Sequence, residues 1–281
     1  MHNFITAAEL SARMDEQSLI ILDGSWHLPD QDRDAHQEYL DRHIPGAQFF
    51  DIDAVSDKSV DLPHMLPNEE EFAHAASELG IWNDSPIVVY DSLGLFSAAR
   101  VWWNFRVMGH SDVRILEGGL PAWEAAGLKT SSGPPAENGI GSYTAHIQRQ
   151  RVADRDAVLN VIENGGAAIL DARPEARFNG GETEPRPGLR SGHMPGAKNV
   201  FFKRLLTDDG KLKSKDELRE AFIAAGHIPG ESAITSCGSG VTAAILTLAL
   251  AELGEEDIRL YDGSWAEWGA DPTLPIATIE S

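Results

Sequence analysis

The sequence predicts an α/β protein built from two copies of one domain, each a parallel sheet with helices on both faces. Three observations carry that prediction. Motifs return in order at a nearly constant spacing, short apolar segments alternate with helical ones, and 281 residues suit two domains of ordinary size.

Self-similarity at a fixed spacing marks a duplicated domain. His43-Ile44-Pro45-Gly46-Ala47 returns 150 residues on as His193-Met194-Pro195-Gly196-Ala197. Ile20-Ile21-Leu22-Asp23 returns 148 residues on as Ala168-Ile169-Leu170-Asp171. Leu116-Glu117-Gly118-Gly119 with Trp123 returns 145 residues on as Tyr261-Asp262-Gly263-Ser264 with Trp268. The shrinking offset places small deletions in the loops of the second copy. Between the copies, Lys129 to Gly141 is rich in Ser, Gly and Pro and poor in periodicity. The expected division is therefore 1–130 for the first domain, 131–150 for a linker and 151–281 for the second domain.

In the first copy the strands are expected at Leu19–Leu22, Ile87–Tyr90 and Val113–Leu116, with helices at Glu69–Leu79 and Ala98–Met108. In the second copy Ala167–Leu170 and Ser232–Ser236 read as strands, as does Ile258–Tyr261. Lys215–Ala225 reads as a helix with Leu218, Phe222 and Ile223 on one face, and Ser214 with Glu217 forms a capping box at its start. Thr242–Leu253 is apolar all round and stops at Gly254. Strands this apolar, each followed by a helix, imply a parallel sheet covered on both sides.

Composition narrows the function. A formal charge of −21 without a Lys/Arg-rich block argues against nucleic acid or an anionic lipid surface as partner. No apolar run of spanning length exists, so no membrane partner is expected. The start, Met1-His2-Asn3-Phe4, lacks the pattern of a secretory signal. A single cysteine allows no internal disulfide and no cysteine-based metal cluster, and fits a reducing cytoplasm. The ten histidines show no metal-ligand spacing, so no metal is expected.

That cysteine is Cys237. It follows a strand and opens the loop Cys237-Gly238-Ser239-Gly240-Val241-Thr242, which runs straight into the apolar helix. Ligands of open α/β sheets gather at such carboxyl ends of strands. Two glycines let the loop curl with its N–H groups inward, and the helix start adds partial positive charge. Both favour a thiolate over a thiol. The ordinary alternative is a small buried apolar residue. At the 145-residue offset the first copy has Ser92 instead, in a loop with one Gly and no Cys. One active and one empty site follow. His43 and His193 occur in both copies, so they are expected to shape the fold. Trp102, Trp103, Trp123, Trp265 and Trp268 are read as packing, and Gly118-Gly119 lacks the Lys-Ser/Thr of a phosphate loop.

Cys237 to Thr242 resembles the active loop of 3-mercaptopyruvate sulfurtransferases, within the two-domain rhodanese (thiosulfate/mercaptopyruvate sulfurtransferase) family. Asp171-Ala172-Arg173-Pro174, Gly192-His193-Met194-Pro195-Gly196-Ala197 and Tyr261-Asp262-Gly263-Ser264-Trp265 are similar to its other signatures. So are His64-Met65-Leu66-Pro67 and Phe96-Ser97-Ala98-Ala99-Arg100 in the first copy. The resemblance implies tandem rhodanese-like domains, the first catalytically empty. It implies a persulfide carried on Cys237 and no cofactor. By the same resemblance Arg177 and Arg186 bind the donor's carboxylate and carbonyl, Gly238, Gly240, Val241 and Thr242 line the site, and Ser239, His64 and Asp53 form a proton relay. Arg173 and Arg190 rank below them, Arg173 being expected to support the strand end. Thiosulfate-using relatives carry basic residues after the cysteine, whereas Gly and Ser stand here. The implied partners are a small-molecule sulfur donor and a thiol acceptor such as a thioredoxin-like protein, or cyanide.

Three rivals remain at this point. One is thiosulfate:cyanide sulfurtransferase on the same fold. Another is a cysteine phosphatase, disfavoured because Ala243 stands where that chemistry needs an arginine. The third is a non-catalytic rhodanese-type binding module.

Overall fold

The structure is a computed structural model that describes residues 3–135 and 139–278. Met1 and His2, and residues 136–138 of the expected linker, lie outside the described residues.

The first half runs β1 (Phe4–Ile5), α1 (Ala7–Ala12), β2 (Ile20–Asp23), α2 (Ala35–Asp41) and β3 (Gln48–Phe49). It continues through α3 (Glu69–Glu78), β4 (Ile87–Tyr90), α4 (Ala98–Val107), β5 (Val113–Leu116) and α5 (Gly119–Ala125). The second half repeats that order: β6 (Val152–Ala153), α6 (Arg155–Asn164), β7 (Ala168–Asp171), α7 (Glu175–Phe178), β8 (Lys198–Asn199). Then come α8 (Lys215–Ala224), β9 (Ala233–Ser236), α9 (Ala243–Glu252), β10 (Ile258–Tyr261) and α10 (Ser264–Trp268). Each sheet is five-stranded and parallel throughout, ordered β1-β5-β4-β2-β3 and β6-β10-β9-β7-β8. Every neighbour is joined by a crossover, which is how parallel pairs must connect.

The expected strands stand within a residue of their predicted positions. The central ones, β2, β4, β7 and β9, are buried along their whole length because helices cover both faces. The two-residue edge strands were not foreseen: so short a segment carries no periodicity. α8 begins with the expected capping box, Glu217 N–H donating to Ser214 Oγ at 3.4 Å and Ser214 N–H to Glu217 Oε2 at 3.1 Å. Its buried stripe is narrower than expected. Leu218 and Phe222 are buried, but Ile223 is 51% exposed, since a fifth residue around the helix has rotated past the stripe. In α9, Ala243 to Leu250 are all buried, as an all-apolar helix requires.

The chain forms two compact units. One comprises Met1–Asp57, Leu66–Gln148 and Asp208–Lys211; the other comprises Lys58–Met65, Arg149–Thr207 and Leu212–Ser281. Residues 139–148, read from sequence as linker, pack with the first unit. Tyr143 is buried against Phe72, Phe105 and His110, and Asn83 exchanges two hydrogen bonds with the Thr144 backbone. His43 and His193 play the structural part expected of them. Each stacks on a ring of its own unit (Tyr39 at 4.3 Å, Phe178 at 3.9 Å), and the Nδ1 of each lies 2.8 Å from that residue's carbonyl oxygen. All five singled-out tryptophans are buried. Among the described residues no helix is long and apolar enough to cross a membrane.

Candidate active site

Cys237 lies where β9 ends, 2% exposed. Three contacts bolt this point to the start of α10: Cys237 N–H donates to Ser264 Oγ at 3.2 Å, Trp265 N–H to the Cys237 carbonyl at 3.0 Å, and Ala266 N–H to the Gly238 carbonyl at 2.9 Å. Ser264 sits at φ +48°, an uncommon left-handed setting for a residue with a side chain. Its hydroxyl, also donating to the Tyr261 carbonyl at 2.8 Å, compensates by serving the cysteine's amide. The loop then curls through Gly240 at φ +80° into α9. Among the described residues, the main-chain N–H groups of Gly238, Ser239, Val241 and Thr242 meet no protein acceptor. They are donors available to an anion.

The first unit shows what such a loop does to an anion, and the counterpart of Cys237 in it is not Ser92 as the offset suggested. Asp23 pairs with Tyr90 in register as Asp171 pairs with Ser236. The counterpart of Cys237 is therefore Asp91, one residue before Ser92; the deletion responsible for the 145-residue offset falls after the active loop. The matching bond, Leu120 N–H to the Asp91 carbonyl at 3.0 Å, fixes the same equivalence. The buried Asp91 carboxylate accepts the N–H groups of Leu93 (2.9 Å), Phe96 (2.7 Å) and Ala98 (2.9 Å). Burial still pushes this carboxyl above its usual range, with the amides pulling the other way. One copy thus fills its loop with a carboxylate, and the other has Cys237 at the matching position.

Over the cradle of the second unit stand two of the expected anchors. A Cβ on Gly238 would lie 3.3 Å from Arg177 Nη2 and 3.9 Å from Arg186 Nη1, so both guanidiniums crowd the residue after the cysteine. Arg186 Nη2 also reaches Ser239 Oγ at 3.4 Å. Ser239 is buried. Arg177 is oriented by Glu184, which its Nη2 contacts closely and its Nε meets at 3.3 Å. Glu184 also accepts Arg173 Nη1 at 2.8 Å, with its side chain 1% exposed.

Arg173 has the supporting role foreseen for it. It is bidentate to Asp171, donates to the Gly192 carbonyl at 2.8 Å and lies 4.2 Å over the ring of Trp265. Burial lowers its pKa, but Asp171 and Glu184 outweigh that and the net shift is upward. Arg190 caps carbonyls of Trp268, Gly269, Asp271 and Leu274, and has no part above the loop. Glu184, Ser264 and Asp91 were not singled out by sequence reasoning. An acid two residues before Arg186 has no spacing signal that separates it from a solvated one.

The remaining two expected residues divide between the units. His64 belongs to the segment Lys58–Met65, which packs as part of the second unit, and is buried at φ +61°, again left-handed. Asp53 belongs to the first unit, where it accepts Trp26 Nε1–H at 2.9 Å.

Both halves match the family model described as the rhodanese-like domain, over residues 6–126 and 154–271. The chain belongs to the rhodanese family. Among curated rhodanese relatives, 3-mercaptopyruvate sulfurtransferase of Escherichia coli (strain K12) is 45% identical over 278 residues, which is 99% of this chain and 98% of the relative. Thiosulfate/3-mercaptopyruvate sulfurtransferase 1, mitochondrial, of Arabidopsis thaliana is 44% identical over 292 residues, 97% of this chain and 77% of that one. The crystal structure of SseA from Escherichia coli, a 3-mercaptopyruvate sulfotransferase of rhodanese fold, superposes with a TM-score of 0.87. It shares 43% identity and covers 94% of this chain and 99% of its own. The tandem rhodanese-like architecture expected from sequence is the architecture found.

Proposed function

We propose that this chain is a 3-mercaptopyruvate sulfurtransferase that carries sulfur as a persulfide on Cys237. The observation that carries the reading is the pair Arg177 and Arg186 converging over Gly238, beside a cysteine set at a loop of free amides. A guanidinium pair suits a carboxylate next to a ketone. Curated relatives of that name at this identity support the same donor.

In this reading the arginines hold the carboxylate and carbonyl of the donor. The Cys237 thiolate attacks the donor's sulfur, a sulfur–sulfur bond forms and the carbon–sulfur pair leaves as pyruvate enolate. The donor's thiol proton returns to carbon through Ser239 and His64, so pyruvate and a persulfide anion result. The N–H groups of Gly238, Ser239, Val241 and Thr242 hold that anion, with Gly240 supplying the turn, as Leu93, Phe96 and Ala98 hold the Asp91 carboxylate in the other unit. Asp53 enters the relay only through the family resemblance. A second nucleophile then removes the outer sulfur: a small thiol, a thioredoxin-like protein or cyanide. A cytoplasmic setting fits the lone cysteine, since it offers no disulfide partner.

The test is mass spectrometry of the Cys237 peptide after donor treatment, with steady-state assays on wild type and Arg186→Ala. A gain of one sulfur, about 32 Da, is expected from 3-mercaptopyruvate, together with a clear preference for that donor over thiosulfate and a KM that rises in the variant. No adduct returns the chain to the binding-module class; equal use of both donors overturns the substrate.

A further inference from the structure

The buried charges behind the active loop form a chain of their own. Asp171 grips Arg173, Arg173 and Arg177 share Glu184, and Arg186 stands beside Ser239. Glu184 sets one negative charge against the two guanidiniums it touches, those of Arg173 and Arg177. Removing that charge makes the surroundings of Arg177 more positive by one unit. Glu184 is too buried for water to screen it, and its polar partners among the described residues are Arg173 and Arg177. Its effect reaches the donor only through Arg177, whose Nε and Nη2 it occupies.

We propose that Glu184 is a specificity-determining positioning residue: its carboxylate sets the charge and the angle of Arg177 so that the site matches a monocarboxylate donor and disfavours a dianion. The proposal rests on the assignment of 3-mercaptopyruvate as donor. Thiosulfate carries two negative charges on a compact body, whereas 3-mercaptopyruvate carries one, placed away from its sulfur. Both react at the same cysteine, so a change in pocket charge acts on their ratio. Specificity of this kind is a difference between two affinities, achieved as much by what the site withholds from the rival as by what it offers the favoured donor.

The experiment compares wild type with Glu184→Gln, which keeps the shape and the acceptor oxygen but removes the charge. For each protein, kcat/KM is measured with 3-mercaptopyruvate and with thiosulfate, using cyanide as common acceptor. The ratio of the two values is independent of the active fraction, so partial misfolding does not move it. One unit of donor charge difference at about 10 Å, in an effective dielectric of about 20, predicts a rise of about fifteenfold in the thiosulfate-to-mercaptopyruvate ratio. The KM for 3-mercaptopyruvate is expected to rise while that for thiosulfate falls. A ratio equal to wild type, or shifted toward 3-mercaptopyruvate, overturns the proposal. Loss of turnover with both donors overturns it too, because the carboxylate would then hold the site together rather than tune its charge. A wild-type chain that gains no sulfur on Cys237 from 3-mercaptopyruvate fails at the donor assignment instead, which separates the two claims.

Discussion

Gly238→Ala probes the arginine pair without removing either arginine. Gly238 does not use a left-handed backbone, so alanine fits its conformation, and its amide and φ place no demand on the fold. The new methyl would stand 3.3 Å from Arg177 Nη2, closer than an ordinary contact of about 3.5 Å or more. Arg177 has to yield by a few tenths of an ångström, and Glu184 holds two of its nitrogens against that shift. A charge-assisted hydrogen bond contributes about 1.5–3 kcal/mol, and misaligning one without breaking it forfeits roughly 1 kcal/mol. That corresponds to about a fivefold loss in kcat/KM for 3-mercaptopyruvate, borne by KM if the arginines bind ground and transition states alike. The assay is steady-state pyruvate release, paired with a thermal melt. Because Gly→Ala at a compatible position restricts the unfolded chain, the melting temperature is expected to hold or rise slightly. An unchanged KM would refute the placement of the guanidiniums over residue 238. A lowered melting temperature would refute the claim that the position tolerates a side chain.

Other perturbations separate architecture from chemistry. Arg173→Met strands the buried carboxylates of Asp171 and Glu184, and is expected to cost about 3–5 kcal/mol in urea unfolding; a loss below about 1 kcal/mol would show that the pair is solvated. Gly119→Ala puts a methyl 2.3 Å from the Asp91 carbonyl at a φ of +56°, so backbone must shift, and marked destabilisation visible as early proteolysis of the first unit is the expected result. Asp23 is buried, which raises its carboxyl to about 6 against the opposing bonds from Ser25 and Tyr90. A folded value above the unfolded one means stability present at low pH is lost as pH climbs through about 6. At roughly 1.4 kcal/mol per unit the loss is about 3 kcal/mol by neutral pH. Asp23→Asn should therefore gain on wild type by about that amount between pH 4 and 7.5, and a pH-independent difference between the two would contradict the burial argument.

Much of this was legible because the signals are local or repeated. The ten longer elements predicted from pattern are present, since runs such as Ile87–Tyr90 and Ala243–Glu252 are apolar enough to need burial wherever they lie. Cys237 was findable because a lone thiol between a strand and a helix has a distinctive setting. Arg177 and Arg186 came through the family likeness alone; nothing in their spacing distinguishes them from Arg190, which the structure shows capping carbonyls. Asp91 stands one residue from the position the 145-residue offset indicates, because a constant offset cannot say on which side of a loop a deletion falls, whereas strand register can.

The sequence by itself determined the two-copy parallel α/β plan, the position of the single thiol and the helix that follows it, because periodicity, duplication and turn chemistry act between near neighbours along the chain. Tertiary structure alone decided that Glu184 is buried and shared between Arg173 and Arg177, that Ser264 serves the cysteine's amide, and that the chain segment carrying His64 packs with the second unit. Those are matters of burial and of contacts across many residues. The same carboxylate is a solvated charge or a buried counter-ion depending on which surfaces close over it, and that is settled only when the chain has packed.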